Sequence, residues 1–284
     1  MLKNGKSNKK TPEDIIAIDF KYEKIQENFE FLLSKTTIDE SQMELVEYLS
    51  DFRDIDLDVL IQSKVFYIQD EKEIGYLTAF DEETQYYLGF LNKNVDYTNR
   101  FVFPVMNGLG ELNAWVGYDS DSKSKYMVGL LGLGDKKKLL YGIHDLEMAF
   151  EEDTIIANEG IFERLRLKSI GKSNAVSLLG KKMSPWQKQH LNRFTNKILI
   201  PDGDIEGQDM IKQWVKDLKG NVCVIRLKEE SILLTDDEGN TYKKRIKDID
   251  DKLRYFPEKV EEFNLLYEKI KARLKTEKYF EVNF

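Results

Sequence analysis

Residues 198–211 read Ile-Leu-Ile-Pro-Asp-Gly-Asp-Ile-Glu-Gly-Gln-Asp-Met-Ile, an apolar run that stops at Asp202 and Asp204 and continues with helical spacing. Two like charges this close at the end of a strand are unfavourable unless a positive group lies between them. A bound metal ion is one such group. The rest of the chain has to supply further ligands before a metal site is credible here.

Apolar runs and helical spacing alternate from residue 153 onward. Four short apolar runs predict buried strands at 154–157, 175–179, 197–201 and 221–227. A helical pattern follows each of the first three runs, and Ser184-Pro185 is a typical N-cap and first-turn pair. Strands and helices that alternate at this spacing predict βαβ units, hence an α/β fold with a mainly parallel sheet flanked by helices.

Three carboxylates are expected at one edge of this sheet. Asp202 and Asp204 follow the third strand, and Glu159 follows the first. Ligand sites of open parallel sheets lie beyond the carboxyl ends of the strands. Carboxylate oxygens with few nitrogen or sulfur alternatives suit Mg²⁺ or Mn²⁺. The structural alternative is that Asp-Gly-Asp is turn chemistry and that Glu159 only favours a helix N-terminus.

Composition limits the classes of protein that this chain can be. Of its 284 residues, 41% are hydrophobic, so it can bury a core. One cysteine excludes an internal disulfide or a multi-cysteine zinc site, and two histidines make a histidine-based metal site improbable. No apolar run reaches about 18 residues, so we expect no membrane span and a cytoplasmic location. The net charge of −8 argues against coating nucleic acid by bulk charge, although Lys136–Lys138 form a local basic run.

The region before residue 153 has a different character. Residues 1–12 are polar and predict a disordered basic tail, and residues 12–63 carry helical spacing. Residues 101–118 predict a hairpin around Asn-Gly-Leu-Gly, in which Pro104 predicts an edge strand or a bulge. A second hairpin is predicted around Asp-Asp-Glu-Gly-Asn at 236–240, and two helical stretches are expected to finish the chain.

The acidic motifs resemble those of a known fold. Residues 153–251 resemble the TOPRIM fold shared by bacterial-type primases, topoisomerases and related nucleases. Glu159-Gly160 matches the glutamate motif after the first strand of that fold, and the Asp-Gly-Asp at 202–204 matches its Asp-x-Asp motif. The resemblance therefore implies a divalent metal site at this edge.

Upstream stretches narrow the resemblance to primases of the bacterial replicative type. The hairpin sequence at 103–117 resembles their catalytic-core hairpin, and Lys125-Tyr126 resembles their Lys-Tyr-Leu segment. Residues 136–143, Lys-Lys-Lys-Leu-Leu-Tyr-Gly-Ile, resemble their basic run before Leu-Tyr-Gly-Leu, and Asp-Ile-Asp-Asp at 248–251 falls where they have Asp-Pro-Asp. The resemblance implies a DNA primase that makes short RNA primers on single-stranded DNA from ribonucleoside triphosphates.

The resemblance also implies roles for individual residues. Glu159, Asp202 and Asp204 would be catalytic and, together with Asp248 and Asp250, would hold Mg²⁺ or Mn²⁺. The residues expected to bind nucleic acid or nucleotide are Lys125, Lys136, Lys137 and Lys138. The expected domains are the tail at 1–12, a helical and α+β basic subdomain at 13–152, a TOPRIM catalytic domain at 153–256 and a C-terminal helical segment at 257–284.

Among the chain's departures from the primase pattern, two concern particular residues. One cysteine cannot build the N-terminal zinc ribbon of that family, and Tyr118 stands where an arginine is expected. We expect a bare primase core, as in a phage or mobile element, with the zinc-ribbon function supplied in trans and a replicative helicase as partner. The alternatives are a TOPRIM nuclease that uses the same metal site and a non-catalytic replication or DNA-binding subunit.

Overall fold

The computed structural model describes residues 27, 30, 40–68, 99–119, 121, 126–130, 136–236 and 238–284. The predicted tail at 1–12 and Lys125 lie outside the described residues, as does most of the helical spacing before residue 40. No helix among the described residues is long and apolar enough to span a membrane.

An antiparallel sheet forms the N-terminal part of the described chain. Its strands lie in the order β1-β2-β3-β4 and follow two helices. The elements are α1 (Glu40–Arg53), α2 (Leu57–Gln62), β1 (Phe66–Ile68), β2 (Arg100–Met106), β3 (Leu112–Tyr118) and β4 (Tyr126–Leu130). The predicted hairpin at 101–118 is therefore confirmed as β2 and β3.

Pro104 does not lie on an edge strand, because β2 pairs with β1 on one side and with β3 on the other. A proline is nevertheless tolerated there. The pairing with β1 covers only Arg100–Val102, and the register with β3 shifts between Val105 and Met106. The missing N–H of Pro104 thus lies outside the ladder that β2 forms with β1, and close to the bulge in its pairing with β3.

Five parallel strands form the second sheet, in the order β11-β8-β7-β5-β6. The predicted parallel α/β sheet is confirmed. Its strands are β5 (Thr154–Asn158), β6 (Ala175–Ser177), β7 (Asn196–Ile200), β8 (Asn221–Arg226) and β11 (Tyr279–Asn283). The helices around it are α3 (Glu147–Glu152), α4 (Ile161–Ser169), α5 (Pro185–Leu191), α6 (Ile205–Val215), α7 (Ile249–Tyr255) and α8 (Lys259–Leu274). The predicted second hairpin is β9 (Glu230–Thr235) with β10 (Thr241–Ile246).

The C-terminal segment at 257–284 is not entirely helical, so that expectation was wrong in part. After α8 the chain adds β11, which pairs with β8 and completes the sheet. The alternation of Phe280, Val282 and Phe284 carries this strand, since all three pack in the apolar cluster beneath α8. The segment is therefore part of the sheet layer.

The two sheets are joined through α4. Ile161, Phe162 and Leu165 of this helix pack with Phe103 of β2 in one buried cluster. Two further clusters cover the two faces of the parallel sheet, one under α7 and α8 and the other under α5 and α6. Because α4 starts directly after β5, this packing places the N-terminal sheet beside the carboxyl edge of the parallel sheet.

Candidate metal centre

Glu159 and Asp202 meet at the carboxyl edge, as the strand ends predict. Glu159 follows β5 and Asp202 follows β7, its immediate neighbour in the sheet. The backbone N–H of Asp202 donates to Oε1 of Glu159 at 3.1 Å. Both residues are buried, at 7% and 5% exposure. Two carboxylates from separate βα units therefore share one small volume.

Glycines let the Asp-Gly-Asp loop lie against its neighbours. A Cβ on Gly203 would lie 2.7 Å from the carbonyl oxygen of Leu227, and the Gly203 N–H donates to the carbonyl of Lys247 at 2.5 Å. A Cβ on Gly207 would lie 2.3 Å from the carbonyl oxygen of Asp202. Only glycine fits these two positions without moving backbone, so the loop holds its aspartates at a defined place.

Asp204 caps helix α6. Its carboxylate accepts a hydrogen bond from the N–H of Gly207 at 2.8 Å. Asp204 thus has a structural role at a helix N-terminus, of the kind that was the alternative for Asp-Gly-Asp. The other oxygen, Oδ2, points to the site, where it lies 3.2 Å from Nζ of Lys247. Capping and a role in the site are compatible, because each uses a different oxygen of one carboxylate.

The positive group between the two aspartates is Lys247. Its ammonium pairs with Oδ2 of Asp202 as well as with Oδ2 of Asp204. Lys181 lies further out, with its Nζ 3.9 Å from Oδ2 of Asp204 and paired with Glu206. Sequence reasoning missed Lys247, since 43 residues separate it from Asp204 and its only signal is its place directly before Asp248.

Burial sets the protonation of the site. It raises the pKa of Glu159 to about 7, and the nearby charge of Asp202 adds to that rise. The pKa of Asp202 is also raised by burial, against the opposing effect of Lys247. The pKa of Asp204 is lowered, because burial is outweighed there by the hydrogen bond from Gly207 and by Lys247. A further positive charge would favour the ionised form of all three.

Glu163 is a carboxylate that sequence reasoning missed. It lies in the first turn of α4, four residues after Glu159, and that spacing was the available signal. Its Oε1 accepts from the N–H of Gly160 at 2.5 Å, whereas its buried Oε2 has no hydrogen-bond partner among the described residues. Burial raises the pKa of Glu163 well above its usual range, and the charges of Asp202 and Asp248 contribute.

Asp248, Asp250 and Asp251 form a second acidic cluster, in which one carboxylate oxygen of each lies within 4.8 Å of the others. Asp248 caps α7 by accepting from the N–H of Asp251 at 2.7 Å. Burial, followed by the charges of Asp251 and Asp250, raises the pKa of Asp248 to about 7. Asp251 pairs with Lys244 at 3.0 Å.

Asp250 is held by two arginines. Its Oδ2 pairs with Arg53, and its Oδ1 lies 3.1 Å from Nε of Arg166. Arg166 also donates to the carbonyl of Arg53 at 2.5 Å and to Oδ2 of Asp54 at 2.8 Å. Both oxygens of Asp250 are thus paired with arginines, and its role as a metal ligand stays a prediction.

Tyr118, at the position where an arginine was expected, lies beside Arg53. It is buried at the end of β3, and its ring meets Phe162 edge-on at 4.7 Å between centroids. The Arg53 guanidinium stacks on the same Phe162 ring, with its central carbon 3.9 Å from the ring centre. Burial raises the pKa of Tyr118, so its hydroxyl is neutral.

The basic run lies near the loop that carries Lys181. Lys136–Lys138 form a short 3₁₀ helix, and the side chains of Lys137 and Lys138 are exposed. Ser184, the N-cap of α5, donates from its hydroxyl to the carbonyl of Lys137 at 2.5 Å. The loop from β6 to α5 therefore contacts the basic run through Ser184 and approaches Asp204 through Lys181. Lys125 is not among the described residues.

The donor set fits a hard divalent cation. The inward-facing groups are carboxylate oxygens, two of the raised pKa values lie near 7, and Glu163 has an unpartnered buried oxygen. Crowded carboxylates of this kind are stabilised by Mg²⁺ or Mn²⁺, which prefer oxygen ligands. Glu159, Asp202 and Asp204 stay the predicted ligands, whereas the three carboxylates with oxygens within 4.8 Å of one another among the described residues are those of Asp248, Asp250 and Asp251.

Part of the chain is similar to known proteins. Residues 156–232 match the family model described as Toprim-like. A DNA primase of Helicobacter pylori is 30% identical over 141 residues, which cover 48% of this chain and 24% of that protein. A DNA primase of Staphylococcus aureus is 27% identical over 174 residues, covering 59% of this chain and 28% of that protein. The matched stretches thus span about a quarter of these relatives.

Solved structures share the fold. The zinc-binding and RNA polymerase domains of the Aquifex aeolicus primase align with a TM-score of 0.68 at 23% identity, over 88% of this chain and 61% of that one. The catalytic domain of the DnaG primase bound to single-stranded DNA aligns with a TM-score of 0.66 at 17% identity, over 88% and 80%. The chain has a Toprim-like domain, DNA primases as relatives, and the DnaG catalytic core as its neighbour in fold.

Proposed function

We propose that this chain is the catalytic core of a DNA primase, which joins ribonucleotides on a single-stranded DNA template by metal-dependent nucleotidyl transfer. The observation that carries the proposal is the meeting of Glu159 and Asp202, joined at 3.1 Å across two βα units. Asp204 adds an oxygen from the same loop. The relatives named as DNA primases support this choice among the reactions that such a site can serve.

Mg²⁺ or Mn²⁺, when bound, would neutralise phosphate oxygens and favour ionisation of the attacking hydroxyl. The chain's own residues prepare this chemistry. Glu159, with a pKa near 7, gives up its proton where the enzyme would work, close to neutral pH. Asp202 and Asp204 are fixed by the tight glycine loop. Asp248 lies on the same edge and is proposed as a further metal ligand. Asp250, two residues later, is proposed as another.

The proposed nucleic-acid and nucleotide contacts come from lysines. Lys136, Lys137 and Lys138 lie beside the N-terminus of α5, and Lys125 precedes β4 in sequence. Phosphate contacts from a few localised lysines suit an acidic chain of net charge −8 better than bulk attraction. A replicative helicase and a zinc-ribbon protein acting in trans are the proposed partners, and the cytoplasm is the proposed location of this reaction.

A single assay tests the proposal. The chain is incubated with single-stranded DNA, Mg²⁺ and labelled ribonucleoside triphosphates, beside the Asp202→Asn variant. Short labelled oligonucleotides that the variant fails to make support primase activity. Degraded template that depends on Asp202 indicates the nuclease alternative. DNA binding with neither product indicates a non-catalytic replication subunit.

A further inference from the structure

We propose that Lys247 is a built-in counter-ion that exchanges with the metal. Its ammonium holds Asp202 and Asp204 together, yields that place to a bound divalent ion, and then contacts the phosphates of the incoming triphosphate. The inference rests on the metal site of the proposed function. It makes Lys247 a positioning residue that favours the metal–triphosphate complex over the free metal.

The position of the ammonium carries the first step. Nζ of Lys247 pairs with Oδ2 of Asp202 and lies 3.2 Å from Oδ2 of Asp204. Both oxygens belong to residues that would hold a divalent ion in the proposed site. An ammonium and a divalent cation repel each other strongly at such short range. A metal that binds both aspartates must therefore displace the ammonium of Lys247.

The backbone of Lys247 stays in place during this exchange. Its carbonyl accepts from the N–H of Gly203 at 2.5 Å, and Gly203 has no room for a Cβ at that contact. The next residue, Asp248, is fixed as the N-cap of α7. Only the side chain is left to move, and it is 35% exposed with a flexible four-carbon stem. The motion is a change of rotamer at the solvent boundary.

The displaced ammonium needs another anion. Glu229, the neighbouring carboxylate on the hairpin side, is already bound by Arg245 through two hydrogen bonds of 2.7 and 2.8 Å. Lys181 competes for Glu206 at the outer rim. A triphosphate that arrives with the metal brings its own anionic oxygens to this place. Its binding compensates the displaced charge, whereas free metal leaves Lys247 without a partner.

The test compares two affinities in two variants. Lys247→Met keeps the length of the side chain and removes its charge. Lys271→Met is the matched control, since Lys271 of α8 pairs with Glu152 at 2.6 Å, and that carboxylate is not among the proposed metal ligands. Binding of Mn²⁺ alone is followed by the resonance signal of free Mn²⁺, and binding of the manganese complex of ATP by calorimetry, both without template.

We expect the two affinities to move in opposite directions. Lys247→Met should bind Mn²⁺ alone at least about tenfold more tightly, because a competing unit charge is gone, and should bind manganese–ATP more weakly. Lys271→Met should leave both affinities unchanged. Unchanged or weaker Mn²⁺ binding by a folded Lys247→Met protein would overturn the exchange and leave Lys247 a structural partner of the aspartates.

If Lys247→Met fails to fold, a measurement on the unaltered protein tests the exchange. Acetylation of lysines by a soluble acyl ester, read by mass spectrometry, should be faster at Lys247 with Mn²⁺ than with EDTA. The rate at Lys269, which is exposed on α8, should not change. Equal rates at Lys247 in both conditions would overturn the exchange.

The same measurements distinguish an error in the proposed metal site from an error in the proposed exchange at Lys247. If the unaltered protein binds no Mn²⁺, or binds it equally after Asp202→Asn, the metal site of the proposed function is wrong and the exchange falls with it. If Asp202→Asn abolishes Mn²⁺ binding while Lys247 shows neither the opposed affinities nor the change in acetylation, only the exchange is wrong.

Discussion

A pair of aspartates and a single aspartate near the same edge of the sheet are neutralised by different kinds of cation. Asp202 and Asp204 share one lysine, whose side chain is 35% exposed. Asp250 is 2% exposed and is held by Arg53 and Arg166, which are themselves 13% and 5% exposed. We call the first the lysine-held pair and Asp250 the arginine-held aspartate.

The difference teaches which acidic group is free to change partners. A lysine ammonium is a single point charge on a flexible stem, and the lysine-held pair can exchange it for another cation. The planar guanidinium of Arg166 also bonds backbone and side chain at Arg53 and Asp54, which ties α1 to α7. The arginine-held aspartate therefore joins the two parts of the fold, and the lysine-held pair is the one left for the proposed metal site.

The largest expected effect is on stability. Replacing Asp250 by alanine should lower the free energy of unfolding by about 3–5 kcal/mol, because it removes the buried carboxylate that Arg166 and the partly buried Arg53 share. Urea unfolding measures this. The matched control is Asp54→Ala, which removes another partner of Arg166 whose side chain is 66% exposed and should cost less than about 1 kcal/mol. Equal costs for the two variants would erase the distinction between the two regions.

The next effect is on metal binding. Asp202→Asn should weaken Mn²⁺ binding by more than the roughly 100-fold that losing an outer-sphere partner can cost. Its free energy of unfolding should change by less than about 1 kcal/mol, since the half-exposed Lys247 can turn to water. Mn²⁺ titration and urea unfolding of the same sample check both. A variant that unfolds easily yet binds Mn²⁺ normally would make Asp202 structural.

A smaller effect is expected with pH. Burial raises the pKa of Glu159 to about 7, so below that pH a metal must displace its proton. Mn²⁺ affinity should rise about tenfold from pH 6 to pH 8 and level off above. By the same linkage, the metal-free protein should lose stability as pH rises from the ordinary carboxyl range to about 7, because the folded state retains a proton that the unfolded chain releases.

Calorimetric titrations of Mn²⁺ at several pH values test this, with Glu159→Gln as the control that should flatten the lower part of the profile. Affinity that continues to climb steeply above pH 8 would point instead to a group with a higher pKa, such as a lysine that must lose its proton.

The smallest effect concerns the basic run. Changing Lys136, Lys137 and Lys138 to alanine should weaken single-stranded DNA binding at low salt and reduce the salt slope by about 0.7 for each lost phosphate contact. Fluorescence anisotropy at several salt concentrations measures the slope. Replacement of Lys269, Lys275 and Lys278, exposed at and after α8, removes the same charge and should leave the slope unchanged. Identical slopes in both triple variants would make the basic run only a solvated turn.

The sequence by itself determined the parallel sheet and two of its site carboxylates. The strands β5, β7 and β8 are continuous apolar runs, because both faces of the sheet are covered, and such runs are visible in sequence. Ser184 and Pro185 marked the start of α5 through local capping chemistry, which the structure confirms. The meeting of Glu159 and Asp202 followed from a general rule, since parallel strands end at one edge.

Only the tertiary structure decided the charges that surround these carboxylates. Lys247 reaches Asp202 across 45 residues, and Arg53 reaches Asp250 across 197. The strand β11 pairs with β8 from the far end of the chain. A local pattern of apolar and polar residues fixes where an element begins and which face is buried. It does not fix which cation from a distant element meets a given carboxylate, because that depends on how whole elements pack.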